Sequence, residues 1–232
     1  MFIGHYAPAF AVAATRRGPR LGAMFVAAQF VDLFYFLFVI AGVERMRETP
    51  GHTVMNAGDF YYMPYTHSLL GTLGFAALWA VVVRLRRGSW RVAWLGAAVV
   101  ASHWLLDLLV HAPDLTLMGI GRRYGFGLWN RPAVAMPLEL GIVALTLTVY
   151  ASRTRATGVM GQVALAALVL ALAGFQTVNW LSPQPTRTID PVPAAVPLTA
   201  LAAYAILTAL AWWTGATRVA RTRVCTQSAQ GS

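Results

Sequence analysis

Three ionisable side chains stand four residues apart in an otherwise apolar stretch: His103, Asp107 and His111. At 3.6 residues per turn this spacing lines them up on one face of a helix. Imidazole and carboxylate are the usual ligand mix of zinc and also suit iron or manganese. The same groups can relay protons or pass an ion, and two imidazoles on facing helices can clamp a haem. Axial distance separates the three. His103 and His111 are two turns apart, about 12 Å, too far to share one metal ion, whereas either one can share an ion with Asp107. The deeper pair, His103 and Asp107, is the working pair, and His111 is expected at the rim, where its ring meets water.

The elements that position these residues are read from composition. Of 232 residues, 58% are hydrophobic and only 11% charged, with a mean hydropathy of +0.59. Soluble chains carry roughly 25% charge. The apolar residues come in blocks of the length a bilayer crossing needs, about 20 residues. The expected fold is therefore an all-α, polytopic transmembrane bundle with six spans, at about 21–43, 64–83, 92–111, 132–151, 159–181 and 194–214. A shorter apolar block at 2–14 forms either a thin seventh span or a re-entrant half-helix. Residues 1–214 make one integral-membrane domain, and 215–232 a polar, disordered tail. The block at 2–14 differs from a signal peptide in that its positive charges follow the apolar core.

All 18 basic residues are arginines, and the net charge is +10. They sit in short clusters between apolar blocks, which speaks for membrane topology and against nucleic-acid binding. The loops at 16–20, 84–91 and 152–158 and the tail hold twelve, and the alternate loops hold six. Positive-inside bias then puts the first set and the C-terminus in the cytoplasm. The single cysteine, Cys225, excludes an internal disulfide and a cysteine metal site.

With that topology, helical rise assigns depths. His67 lies roughly 5 Å, Glu139 roughly 10 Å and Asp32 roughly 16 Å below the outer end of their spans, with His103, Asp107 and His111 at roughly 12, 6 and 0 Å. His5 joins the outer half if its block runs inward. An ionisable group at membrane depth is costly and marks a functional site. The bland reading stands beside this one: a lone intramembrane His or Asp is often only hydrogen-bonded to the next helix. Asp32, with Gln29, fits that description best. His52 and Asp59 read as solvated loop residues.

Gly4-His5, Asp32, Thr66-His67-Ser68-Leu69 and Ser102-His103-x-x-x-Asp107 follow one another in an order that resembles the membrane-bound metal-dependent hydrolases. That family includes the LexA-regulated inner-membrane hydrolases of bacteria. The resemblance covers about residues 1 to 111, and its weight lies in the order and spacing of short motifs. It departs from the family at Val31-Asp32-Leu33-Phe34, where a Pro-Asp-x-Asp carries two carboxylates, and at Met63-Pro64-Tyr65, where an arginine often precedes Thr-His-Ser.

The resulting expectation is a divalent-metal hydrolase, most naturally a zinc enzyme, of the inner membrane. His5, His67, His103 and Asp107 hold the metal, and Asp32 and Glu139 act as general base or orient the ligands. Arg122, Arg123 and Arg131 hold an anionic head group. The partners are the lipid bilayer and an amphiphilic, lipid or lipid-linked substrate reached from the outer leaflet. An ion, proton or metal transporter and a non-catalytic membrane protein are the alternatives.

Overall fold

Residues 1–15 and 17–221 are described by a computed structural model. Arg16 and residues 222–232, with Arg223, Cys225 and most of the expected tail, lie outside the described residues. The chain is mostly helical. A 3-10 turn, Ile3–His5, leads into α1 (Tyr6–Ala13), then α2 (Leu21–Ala28), α3 (Phe30–Ile40), α4 (Leu69–Leu85) and α5 (Trp90–Val110). Next come α6 (Pro132–Arg153), α7 (Val159–Leu181) and α8 (Ala195–Ala216). Six short strands form three antiparallel pairs: β1 (Arg45–Glu48) with β2 (Gly58–Tyr62), β3 (Leu115–Thr116) with β4 (Arg123–Tyr124), and β5 (Thr154–Ala156) with β6 (Arg218–Ala220).

Among the described residues four helices, α5 to α8, are long and apolar enough to cross a membrane, and α2 with α3 makes a fifth if the bent pair counts as one span. The six-span expectation differs at two places. The segment 21–43 is broken at Gln29, whose backbone (φ −101°, ψ 10°) is not helical, and its halves bend by 49°. The segment 64–83 begins as a turn. Ser68 caps α4 by accepting a hydrogen bond from Gly71 N at 3.0 Å, so His67 lies before the helix rather than in it. At 17 residues α4 is about 25 Å long, under the usual length of a span. The tail expected after 214 starts as α8 and then β6.

The N-terminal block does not cross the bundle. α1 has 8 residues, about 12 Å, with no polar face. Such a helix must be enclosed, and α2, α5 and α6 enclose it, with Tyr6 and Phe10 fully buried against Phe25. Helices in lipid gain little from apolar burial between them and pack through small residues and shape. Gly22 lies against Trp212 and Gly96 against Trp79 with no room for a Cβ at either. Leu105, Leu145, Leu170 and Leu198 remain exposed on the outside of the bundle, as lipid-facing residues would.

Loops tie one end of the bundle together. Glu48 and Ile189 exchange both backbone hydrogen bonds, at 3.1 and 2.9 Å, and Met55 N donates to Trp129 O at 3.1 Å. Gln184 Nε2 donates to Thr53 O at 3.0 Å. The opposite end is closed by β5 and β6, where Arg218 Nε donates to Thr154 Oγ1 at 3.0 Å. Two apolar cores meet along α5. Val100 belongs to the larger one, and Trp104 to a smaller one with Tyr35, Met46, Met63 and Leu115. His103 stands at the junction.

Candidate metal centre

Each polar residue of the site comes from a place where regular structure starts, stops or breaks, apart from His103 and Asp107 on α5. His5 ends the 3-10 turn and precedes α1. Asp32 is in the first turn of α3, just past the break at Gln29. His67 is in the turn before α4. His111 caps the C-terminus of α5, where the chain turns extended.

These residues converge. His103 Nε2 lies 3.1 Å from Asp107 Oδ2 and 3.4 Å from Asp32 Oδ1. His67 Nε2 lies 3.3 Å from Asp32 Oδ1 and 3.7 Å from Asp107 Oδ2. His5 Nε2 is 3.0 Å from Asp107 Oδ1, and His111 Nε2 is 3.6 Å from the same oxygen. The Met1 ammonium also meets that oxygen, at 2.7 Å. The His5 and His103 rings stack at 3.8 Å, 5° from parallel. His5, His103, Asp107 and His111 are all under 5% exposed.

Hydrogen bonding on the far side of three rings fixes which nitrogen faces inward. His103 Nδ1 lies 3.0 Å from Ala28 O, at the helix break. A carbonyl only accepts, so Nδ1 carries the proton. Thr66 Oγ1 donates its one proton to Glu44 Oε2 at 2.6 Å and so accepts from His67 Nδ1 at 2.9 Å. His111 Nδ1 donates to Asp114 Oδ1 at 3.0 Å. In the neutral ring each Nε2 therefore turns a lone pair toward carboxylate oxygens, and His103 Nε2 has no hydrogen-bond partner. Lone pairs facing carboxylates at this depth require positive charge between them, as protons or as a metal cation.

Geometry and donor chemistry fit a metal. Two overlapping triads, His5 with His103 and Asp107, and Asp32 with His67 and His103, each bring three ligand atoms within 4.8 Å of one another. Bonds of 2.0–2.1 Å in a tetrahedral site put neighbouring ligand atoms about 3.3 Å apart, and the contacts above scatter around that figure. The buried His and Asp groups could hold a metal ion.

The remaining carboxylates have other partners. Tyr204 OH, on α8, donates to Asp32 Oδ2 at 3.0 Å. Glu139 Oε1 accepts from the backbone of Phe2 at 2.7 Å and Gly4 at 3.0 Å, and Oε2 accepts from Gln176 Nε2 at 3.0 Å. Glu139 thus anchors the segment that carries His5. Asp59, expected as a solvated loop residue, is buried in β2 and accepts from Arg47 Nε at 2.7 Å. Asp32 is no mere helix contact with Gln29, and His111 is no bystander at the rim. Arg122, Arg123 and Arg131 are exposed. Arg122 lies over the Tyr124 ring and Arg123 donates to Tyr61 O at 3.3 Å.

Asp32, His67, Asp107, His111, Glu139 and Tyr204 line one wall of a cavity of about 540 Å³. The same cavity is lined from α7 and α8 by Phe175, Val178, Val196, Ala200 and Ala203, with Asn179 and Thr199 among them. None of the three arginines lines it. Glu44 and Asp114 went unseen in sequence reasoning. Asp114 carried a readable signal, three residues after His111. Glu44 had none, because it reaches Thr66 across 22 residues. Searches against protein-family profiles, curated proteins and solved structures found no match to this chain.

Proposed function

We propose that the protein is a membrane-embedded, metal-dependent hydrolase acting on an amphiphilic, lipid or lipid-linked substrate. The observation that carries this reading is the convergence of four imidazole Nε2 atoms on Asp32 and Asp107 at a cavity also lined by apolar residues of α7 and α8. His5, His67, His103 and Asp107 would hold the ion, and the N/O donor set suits zinc. A bound zinc ion supplies Lewis acidity and makes water a usable nucleophile at neutral pH.

The chain's own groups supply the rest. Asp32 lines the cavity beside His67 and His103 and takes up the proton that water loses, with Tyr204 OH holding its second oxygen in place. Glu139, its oxygens engaged by Phe2, Gly4 and Gln176, keeps His5 in position rather than moving protons. The apolar wall between α7 and α8 receives the acyl or isoprenoid part of the substrate and leaves the head group toward Asp107. Ordered, apolar surroundings also keep bulk water out, which strengthens every charge interaction within.

The arginine count supports an inner-membrane orientation with the cluster toward the outer side and the C-terminus cytoplasmic. A transport role is less well supported. Beyond the cluster the buried side chains on α5, α2 and α1 are largely apolar, among them Val99, Val100, Phe25 and Phe10, with Tyr6 and Gln29 the polar exceptions.

The test is metal analysis of the purified protein beside His103→Ala, followed by assays on phospholipid and lipid-linked phosphate or ester substrates. Metal in the wild type, depletion in the variant and loss of turnover are expected. Metal absent from folded wild-type protein removes the metal reading, and turnover that survives His103→Ala removes the catalytic one. Ion flux in proteoliposomes without hydrolysis would support the transporter instead.

A further inference from the structure

The two oxygens of Asp107 serve different nitrogen sets. Oδ2 faces His103 and His67, at 3.1 and 3.7 Å, and those two imidazoles also share Asp32 Oδ1. Oδ1 faces the other way, toward His5 at 3.0 Å and His111 at 3.6 Å. His111 has no place in a one-metal centre built on His103. Yet it is buried, lines the cavity, and has its Nδ1 proton tied to Asp114, which leaves Nε2 turned to Asp107.

Both triads claim His103, and one imidazole lone pair serves one cation. A carboxylate has no such limit, since each oxygen can bind separately. We propose that the cluster is a two-cation site bridged by Asp107. The first cation is held by His67, His103 and Asp107 Oδ2, with Asp32 beside it, and the second by His5, His111 and Asp107 Oδ1. Paired divalent ions sit about 3.5–4 Å apart, a distance one bridging carboxylate spans.

Charge points the same way. Glu48, Asp32, Asp107 and Glu139 line the cavity, and no arginine does. Against these four carboxylates one divalent cation leaves the cavity lining net negative, and two balance it. A phosphate-bearing head group, which the exposed arginines do not reach, is accepted only by the doubly loaded wall. The inference rests on the metal reading of the cluster and not on hydrolysis.

The experiment is metal stoichiometry on the full chain in detergent, stripped with chelator, reloaded with zinc and desalted. Cobalt reloading and electron paramagnetic resonance run alongside, because paired cobalt ions couple magnetically. Two ions per chain are expected in the wild type, one in His111→Ala, and none in Asp107→Ala. The cobalt coupling should vanish in His111→Ala. Should that variant misfold, Asp114→Asn keeps the ligand and should still release the second ion at lower chelator concentration than the first. One ion per chain in the wild type, or two in folded His111→Ala, overturns the bridged pair and leaves the hydrolase reading standing. No ion in folded wild-type protein ends both.

Discussion

Glu44, Thr66 and His67 form a chain in which each group sets the next. Glu44 takes the Thr66 hydroxyl proton, so the hydroxyl oxygen takes the His67 Nδ1 proton, so Nε2 faces the cluster as an acceptor. Such outer partners typically change metal affinity by about 10–100-fold when removed. Thr66→Val should therefore weaken zinc binding by about that factor, read by competition with a chromophoric chelator. An unchanged affinity would take His67 out of the ligand set. Glu44→Ala should do more, because Glu44 Oε1 also accepts from the backbone of Tyr65 at 2.8 Å and Thr66 at 3.0 Å. Acidification should empty the site, since protons compete with the metal for the same Nε2 lone pairs.

At the scale of elements, the site depends on where helices are interrupted. The break at Gln29 brings Ala28 O to His103 and turns the first residues of α3 so that Asp32 reaches the cluster. Gly71, in the first turn of α4, packs so closely on the Tyr65 carbonyl that a Cβ cannot enter. Gly71→Ala is thus expected to push the 65–68 turn outward, lowering metal occupancy while α4, a helix that alanine favours, persists by circular dichroism. Occupancy equal to wild type would show that the turn tolerates the shift. Glu139 gives a second test. Glu139→Leu strands two backbone donors and the Gln176 amide, each unpaired group costing about 1–3 kcal/mol, so a clear drop in melting temperature is expected. Glu139→Gln keeps acceptors for the backbone donors and should retain most turnover. Complete loss of turnover in a folded, metal-loaded Glu139→Gln would make Glu139 a proton carrier after all.

For the whole molecule, the metal and the fold should be linked. His5 comes from the enclosed N-terminal segment, Asp32 from α3, His67 from the turn before α4, and His103 and Asp107 from α5, so a cation there ties four segments together. A ligand that binds only the folded state stabilises it by about 2.7 kcal/mol at a concentration a hundred times its dissociation constant. Zinc should accordingly raise the melting temperature of the stripped wild type and leave Asp107→Ala unmoved. An equal rise in both would locate the effect elsewhere. Topology can be read with an impermeant thiol reagent on intact cells in a Cys225→Ser background. Gln184→Cys should label from outside and Arg155→Cys only after permeabilisation. The reverse pattern would put the cluster on the cytoplasmic side.

Hydropathy by itself determined a mostly helical chain with several helices apolar enough to span a membrane, because long apolar blocks have few other stable outcomes. It also singled out His5, Asp32, His67, His103 and Asp107, because ionisable groups in such blocks are too costly to be incidental. The i, i+4 spacing of His103 and Asp107 is local, so one helix sufficed to pair them. What lay beyond it was set by contacts distant in sequence. The bend at Gln29 has no proline or glycine to announce it, and periodicity read straight through it. Glu139 read as a general base or a ligand-orienting carboxylate, and only its partners at Phe2 and Gly4, more than 130 residues away, tie it to the segment that carries His5. His111 looked peripheral because depth along one helix ignores the direction in which the ring turns. Only the folded loop, with Asp114 holding Nδ1, turns its free nitrogen to the far oxygen of Asp107.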